Sequence, residues 1–65
     1  MRVLIKKTNE ILEVDGAQLK GVQIRLRRGI YTYYTIYDCE ENAQYAFDTL
    51  LQEGYIIVNT LHDKE

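Results

Sequence analysis

The segment VQIRLRRGIYTYYTIY, Val22 to Tyr37, decides the fold. Val22, Ile24 and Leu26 alternate with Gln23, Arg25 and Arg27, the period of two of a strand with one wet face. Ile30 to Tyr37 consists wholly of β-branched and aromatic residues, so it too is a strand. Gly29 marks the turn, and the length of that turn sets which side chains share a face. A two-residue Arg28-Gly29 loop would pair Arg27 with Ile30 and mix charge with apolar groups. A three-residue loop, Arg27-Arg28-Gly29, pairs Leu26 with Ile30 and Val22 with Tyr34. The second arrangement is the expectation. It puts Val22, Ile24, Leu26, Ile30, Tyr34 and Ile36 on the core side, and Gln23, Arg25, Tyr31, Tyr33, Thr35 and Tyr37 on the other.

Toward the C-terminus, Asp38 followed by Glu41 has the capping-box spacing that opens a helix. Ala43, Ala46, Phe47, Leu50 and Leu51 recur at helical spacing as its buried stripe, and Gly54 suits the left-handed residue after its end. Tyr55 to Leu61 then reads as a last strand, apolar on both faces over Ile56, Ile57 and Val58. The tail from His62 to Glu65 is expected to fray.

Toward the N-terminus, Val3, Leu4 and Ile5 make Met1 to Lys7 a strand with apolar neighbours on both faces. Thr8, Asn9 and Glu10 turn the chain into a second strand, Ile11 to Val14. Asp15-Gly16 closes that hairpin, and the stretch through Gly21 reads as an irregular connection. The predicted fold is α+β, in the order β-β-β-β-α-β. It has one small, mainly antiparallel sheet, the first and last strands near its centre, and one helix on one face.

At 65 residues, with no Pro, Ser or Trp and no repeat, residues 1–65 form a single compact domain. The apolar fraction of 46% and charged fraction of 28% are those of a globular chain. Its size leaves little interior for a substrate cavity. The apolar runs are far shorter than the ~20 residues of a membrane span, and Lys6 and Lys7 interrupt any leader-like h-region. With one cysteine, this points to a cytoplasmic protein without membrane contact.

The net charge of −2 conceals a division along the chain. Met1 to Arg28 holds seven bases and three acids, whereas Gly29 to Glu65 holds one base and seven acids. The molecule is therefore an electrostatic dipole in outline.

Cys39 falls in the first helical turn, where the helix dipole favours a thiolate, but Asp38, Glu40 and Glu41 surround it with charge of the opposing effect. His62, the single histidine, lies near a terminus. Asp38, Cys39, Glu40, His62 and Asp63 share no metal-ligand spacing. These readings predict no catalytic residue, no metal and no cofactor, so the expected activity is not enzymatic.

Two surfaces are candidates for binding. Tyr and Arg are enriched at interface hot spots, which singles out Gln23, Arg25, Arg27, Arg28, Tyr31, Tyr33 and Tyr37. The outer helix face of Glu40, Glu41, Gln44 and Asp48 is the second, where the carboxylates of Glu40, Glu41, Asp48 and Glu53 either mimic a row of phosphates or are simply solvated. A protein is the favoured partner. Single-stranded nucleic acid is the alternative for the Tyr/Arg face, opposed by the acidic pI of 5.3, and a homodimer through a sheet edge is also admitted.

The opening MRVLIKKTNEILEV, Met1 to Val14, resembles the starting hairpin of short proteins from phages and mobile elements of Gram-positive bacteria, with Asn9 where such hairpins often carry Gly. The resemblance implies an accessory or anti-defence protein that binds and blocks a host factor. It carries over no functional residue.

Overall fold

The computed structural model of the chain describes residues 1–63. The fold is α+β: β1 (Arg2–Ile5), β2 (Glu10–Glu13), β3 (Gly16–Lys20), β4 (Gln23–Arg28), β5 (Tyr31–Ile36), α1 (Glu40–Glu53), β6 (Tyr55–Val58) and β7 (His62–Asp63). The strands pair as two sheets, β2-β1-β6 and β3-β4-β5-β7, antiparallel throughout except where β1 runs parallel to β6.

Two chain segments belong to both sheets. Val14 donates its N–H to the Met1 carbonyl at 2.8 Å, and the next residue, Asp15, donates to the Arg27 carbonyl at 2.7 Å. The chain thus leaves one sheet and joins the other within a single peptide step. At the opposite corner, β6 pairs with β1, and its continuation β7 pairs with β5. Through these two corners the sheets form an incomplete ring, β1, β2–β3, β4, β5, β7–β6 and back to β1, in which the outer edge of β6 has no paired strand among the described residues.

Inside the ring, Val3, Val14, Ile56 and Val58 from the first sheet meet Ile24 and Leu26 from the second, and Leu50 of α1 joins them. The helix packs on β6, β3 and β4, so it fills an opening of the ring as well as covering a face. One sheet with one covered face was expected; the two-residue corner at Val14-Asp15 is what divides it.

Three local readings are corrected. Gly16 to Gly21 is no irregular connection: Ala17 and Leu19 face the core, Gln18 and Lys20 the solvent, and Lys20 pairs with Gln23 around a Gly21-Val22 turn. The β4–β5 loop is Gly29-Ile30, because Arg28 pairs with Tyr31, Leu26 with Tyr33 and Ile24 with Thr35. Both loops carry Gly first with positive φ, 63° at Gly21 and 61° at Gly29, the type II′ arrangement whose twist suits two-residue hairpins. Asp15 reinforces the second by accepting the Gly29 N–H at 2.7 Å. Third, α1 begins at Glu40 with Cys39 as N-cap, one residue beyond the expected Asp38.

Other expectations are met. β1 lies between two strands, Gly54 ends α1 in the left-handed region at φ 84°, and Asn9, also left-handed at φ 60°, turns β1 into β2 where a Gly would have been the easier residue. β6, expected at the sheet's centre, is instead at the side of its sheet. Of the tail, His62 and Asp63 form β7, while residues 64 and 65 lie outside the described residues.

Candidate functional site

The register of β4 and β5 divides the Tyr/Arg group. Leu26 pairs with Tyr33 and not with the expected Ile30, a register difference of three residues, and an odd difference exchanges the faces of β5. Tyr33 and Tyr37 pack against the core, and Thr35 is buried beside them. Arg28 and Tyr31 pair at the exposed tip of the hairpin, on the core-side parity of Leu26. Gln23, Arg25 and Arg27 keep the outer face, and Tyr34, expected on the core side, joins them there.

One transverse row of this outer face runs Gln18, Arg25, Tyr34 and His62 across four strands. The Tyr34 and His62 rings lie 5.2 Å apart at 31°, and the Arg25 Nε donates to Gln23 Oε1 at 3.4 Å. Lys20 and Arg27 flank the row on β3 and β4. Among the described residues the one ion pair is Arg2 to Glu13, 3.5 Å apart and exposed, so no carboxylate neutralises these bases. This face is cationic, with one aromatic pair.

The opposite outer surface is apolar. On the β2-β1-β6 sheet, Leu4 stands between Ile11 and Ile57 in one transverse row, with Ile11 68% and Ile57 53% exposed. Tyr55 follows two residues before Ile57 on the same face of β6, and Tyr45 of α1 lines one groove with both. Leu4, Ile11, Ile57, Tyr55 and Tyr45 therefore form a continuous strip over β2, β1, β6 and the helix flank. Its rim is polar, with the Arg2–Glu13 pair in the adjoining row.

The groove beside β6 is walled by Asn42, Tyr45, Ala46 and Thr49, one helical stripe of α1, and by Tyr37 and Tyr55, with Glu53 at one end. It continues past Ile57 to Asp38, Asn59, Thr60 and His62, where β5 and the chain after β6 diverge. Tyr37 borders both parts. Its hydroxyl is buried and, among the described residues, has no hydrogen-bond partner, and burial raises its pKa from the ordinary 10.0. Since the phenol ionises less readily folded than unfolded, the folded state loses stability as pH rises from about 10 through the folded pKa. Tyr37→Phe is expected to leave neutral-pH stability within about 0.5 kcal/mol and to remove this alkaline loss, checked by urea unfolding at pH 7 and pH 11.

The outer helix face stands as read: Glu40, Glu41, Gln44 and Asp48 are all exposed, and Gln44 donates its side-chain amide to Asp48 Oδ1 at 2.9 Å. Asp38 accepts from Asn42 Nδ2 at 2.8 Å, and that bond first, with backbone N–H groups after it, holds its carboxyl below the usual range. Cys39 is a free, exposed thiol. Among the described residues no three His, Cys, Asp or Glu side chains come together as a metal site, and no helix is long and apolar enough to cross a membrane.

Compared with known proteins, the chain matches no family model, no curated protein and no solved structure.

The strip and the groove escaped the sequence reading for one reason. Ile56-Ile57-Val58 is apolar on both faces, the mark of a strand covered on both sides, yet here one of those faces is open. Tyr45 carried a signal that could have been used: it stands outside the buried stripe of α1 with Asn42 and Thr49, three and four residues away.

Proposed function

We propose that the chain is a non-catalytic protein-binding module whose contact surface is the strip Tyr45, Tyr55, Ile57, Leu4 and Ile11. The observation that carries the reading is the continuity of that strip in the open. Scattered exposed apolar residues are ordinary, but a contiguous apolar surface with a polar rim is a feature of protein interfaces. It also has two tyrosines, a residue type enriched among hot spots. A module of this kind acts by occupying its partner, which agrees with the blocking role implied by the opening hairpin's resemblance. A cytoplasmic setting belongs to the same proposal.

A second reading, single-stranded nucleic acid on the outer face of β3-β4-β5-β7, is favoured by Lys20, Arg25 and Arg27, which make no ion pair among the described residues, beside the Tyr34–His62 pair. Affinity capture from a bacterial lysate separates the two. Wild type and Arg25→Glu/Arg27→Glu are expected to retain the same protein, and Ile11→Glu/Ile57→Glu to lose it. Retention by Ile11→Glu/Ile57→Glu would overturn the strip. Loss by Arg25→Glu/Arg27→Glu, with nuclease-sensitive retention by wild type, would establish the second reading.

A further inference from the structure

We propose that β6 takes up an extended segment of the protein partner as an added strand, a segment with alternating apolar side chains and a Lys or Arg at each end. This deepens the protein-binding reading and rests on it.

The free edge comes first. The Arg2 N–H donates to the Gly54 carbonyl and the Lys6 N–H to the Val58 carbonyl, both at 2.8 Å. In a parallel ladder the backbone of alternate residues turns to alternate sides. The backbone groups of Ile56 and Val58 are therefore directed to β1, and those of Tyr55 and Ile57 to the far edge, where among the described residues no strand pairs with them. Edges are normally blunted by charge, proline or a bulge. Tyr55-Ile56-Ile57-Val58 has neither a charge nor a proline, and its register with β1 is unbroken.

The space beyond that edge is the groove under Tyr45 and Thr49 of α1. Main-chain pairing at an exposed edge supplies affinity, and pockets for alternate side chains supply selection. A four-residue strand such as β6 offers ~13 Å for pairing, at the usual rise of a strand.

Charge identifies the ends. Glu53 lines the groove beside Tyr55, Asp38 lines its continuation beside Val58, and among the described residues neither part is lined by Lys or Arg. Acid at both ends selects a segment with bases at both ends.

The test uses the full chain, labelled with 15N, and the synthetic peptide Ac-KVTVTVK-NH2. Its controls are the same sequence N-methylated at alternate residues and Ac-EVTVTVE-NH2. The expected result is a shift of the Tyr55 and Ile57 amide signals with the first peptide and at least tenfold weaker binding of both controls. Shifts confined to Leu4 and Ile11, or to Lys20 and Arg25, would overturn the added strand, as would equal binding of the N-methylated peptide or no shift with any peptide. A solution mass of two chains, abolished by Ile11→Glu/Ile57→Glu, would overturn it in favour of a second copy. The protein-binding reading is judged separately by the capture experiment, so a retained partner with unmoved Tyr55 and Ile57 signals refutes this inference alone.

Discussion

Leu50→Ala is expected to cost about 2–5 kcal/mol of folding free energy, as large-to-small changes in packed cores do. Leu50 has no exposed surface and is where α1 enters the core between the sheets. A chain of 65 residues has a total stability of about 3–10 kcal/mol at the usual value per residue, so the substitution should remove much of it. Leu51→Ala, at a side chain 57% exposed, should change stability by less than about 1 kcal/mol. Urea unfolding of the two variants checks the rotation of α1. Equal losses would mean that both leucines point into the core, as the apolar spacing alone suggests.

Leu26→Glu is expected to abolish folding, whereas Ile30→Glu should fold as well as the wild type. Leu26 is fully buried opposite Tyr33 inside the ring, and an unpaired carboxylate there has neither a partner nor water. Ile30 is 90% exposed at the hairpin turn. With a three-residue turn the two would face each other in the core and both changes would be ruinous. Circular dichroism of the two variants therefore tests the β4–β5 register. An unfolded Ile30→Glu would contradict the Gly29-Ile30 turn and the positions of Tyr33, Tyr34 and Tyr37 that follow from it.

Periodicity made most elements legible. The alternation in Val22 to Leu26 and the helical spacing of Ala43, Ala46, Phe47 and Leu50 each report a local preference that tertiary packing does not oppose, whereas the Asp38–Glu41 spacing placed the helix start one residue early, at an N-cap, Cys39, that makes no side-chain cap bond. The α+β class and the helix–strand order after Tyr31 followed from these. What escaped was set by geometry between elements. Arg27, Arg28 and Gly29 admit several hairpin turns, and the choice among them depends on how β4 twists against both neighbours, with Asp15 fixing Gly29 from fourteen residues away. The resulting three-residue difference in register moved Tyr33 and Tyr37 inward and Tyr34 outward. The strand β3 was hidden because Gly16 and Gly21 look like loop punctuation when Ala17 and Leu19 are the sole apolar residues between them.

The apolar strip has the opposite history. Its residues were legible as strand and helix, but their exposure is a property of the assembled ring, in which β1 and β6 bury Val3, Ile56 and Val58 and leave Leu4, Tyr55 and Ile57 outside. No local pattern distinguishes a strand buried on two faces from one that is apolar on two faces and buried on one.

The central claim is that this chain acts by binding a protein through the strip over β6, and photo-crosslinking tests it most directly. Benzoylphenylalanine placed at Ile57, and in a control at Gln18 on the cationic outer face, is irradiated in cells. The expected result is an adduct from position 57 that protease removes and nuclease does not, with none from position 18. An adduct from position 18 alone, or one that nuclease removes, would contradict the account.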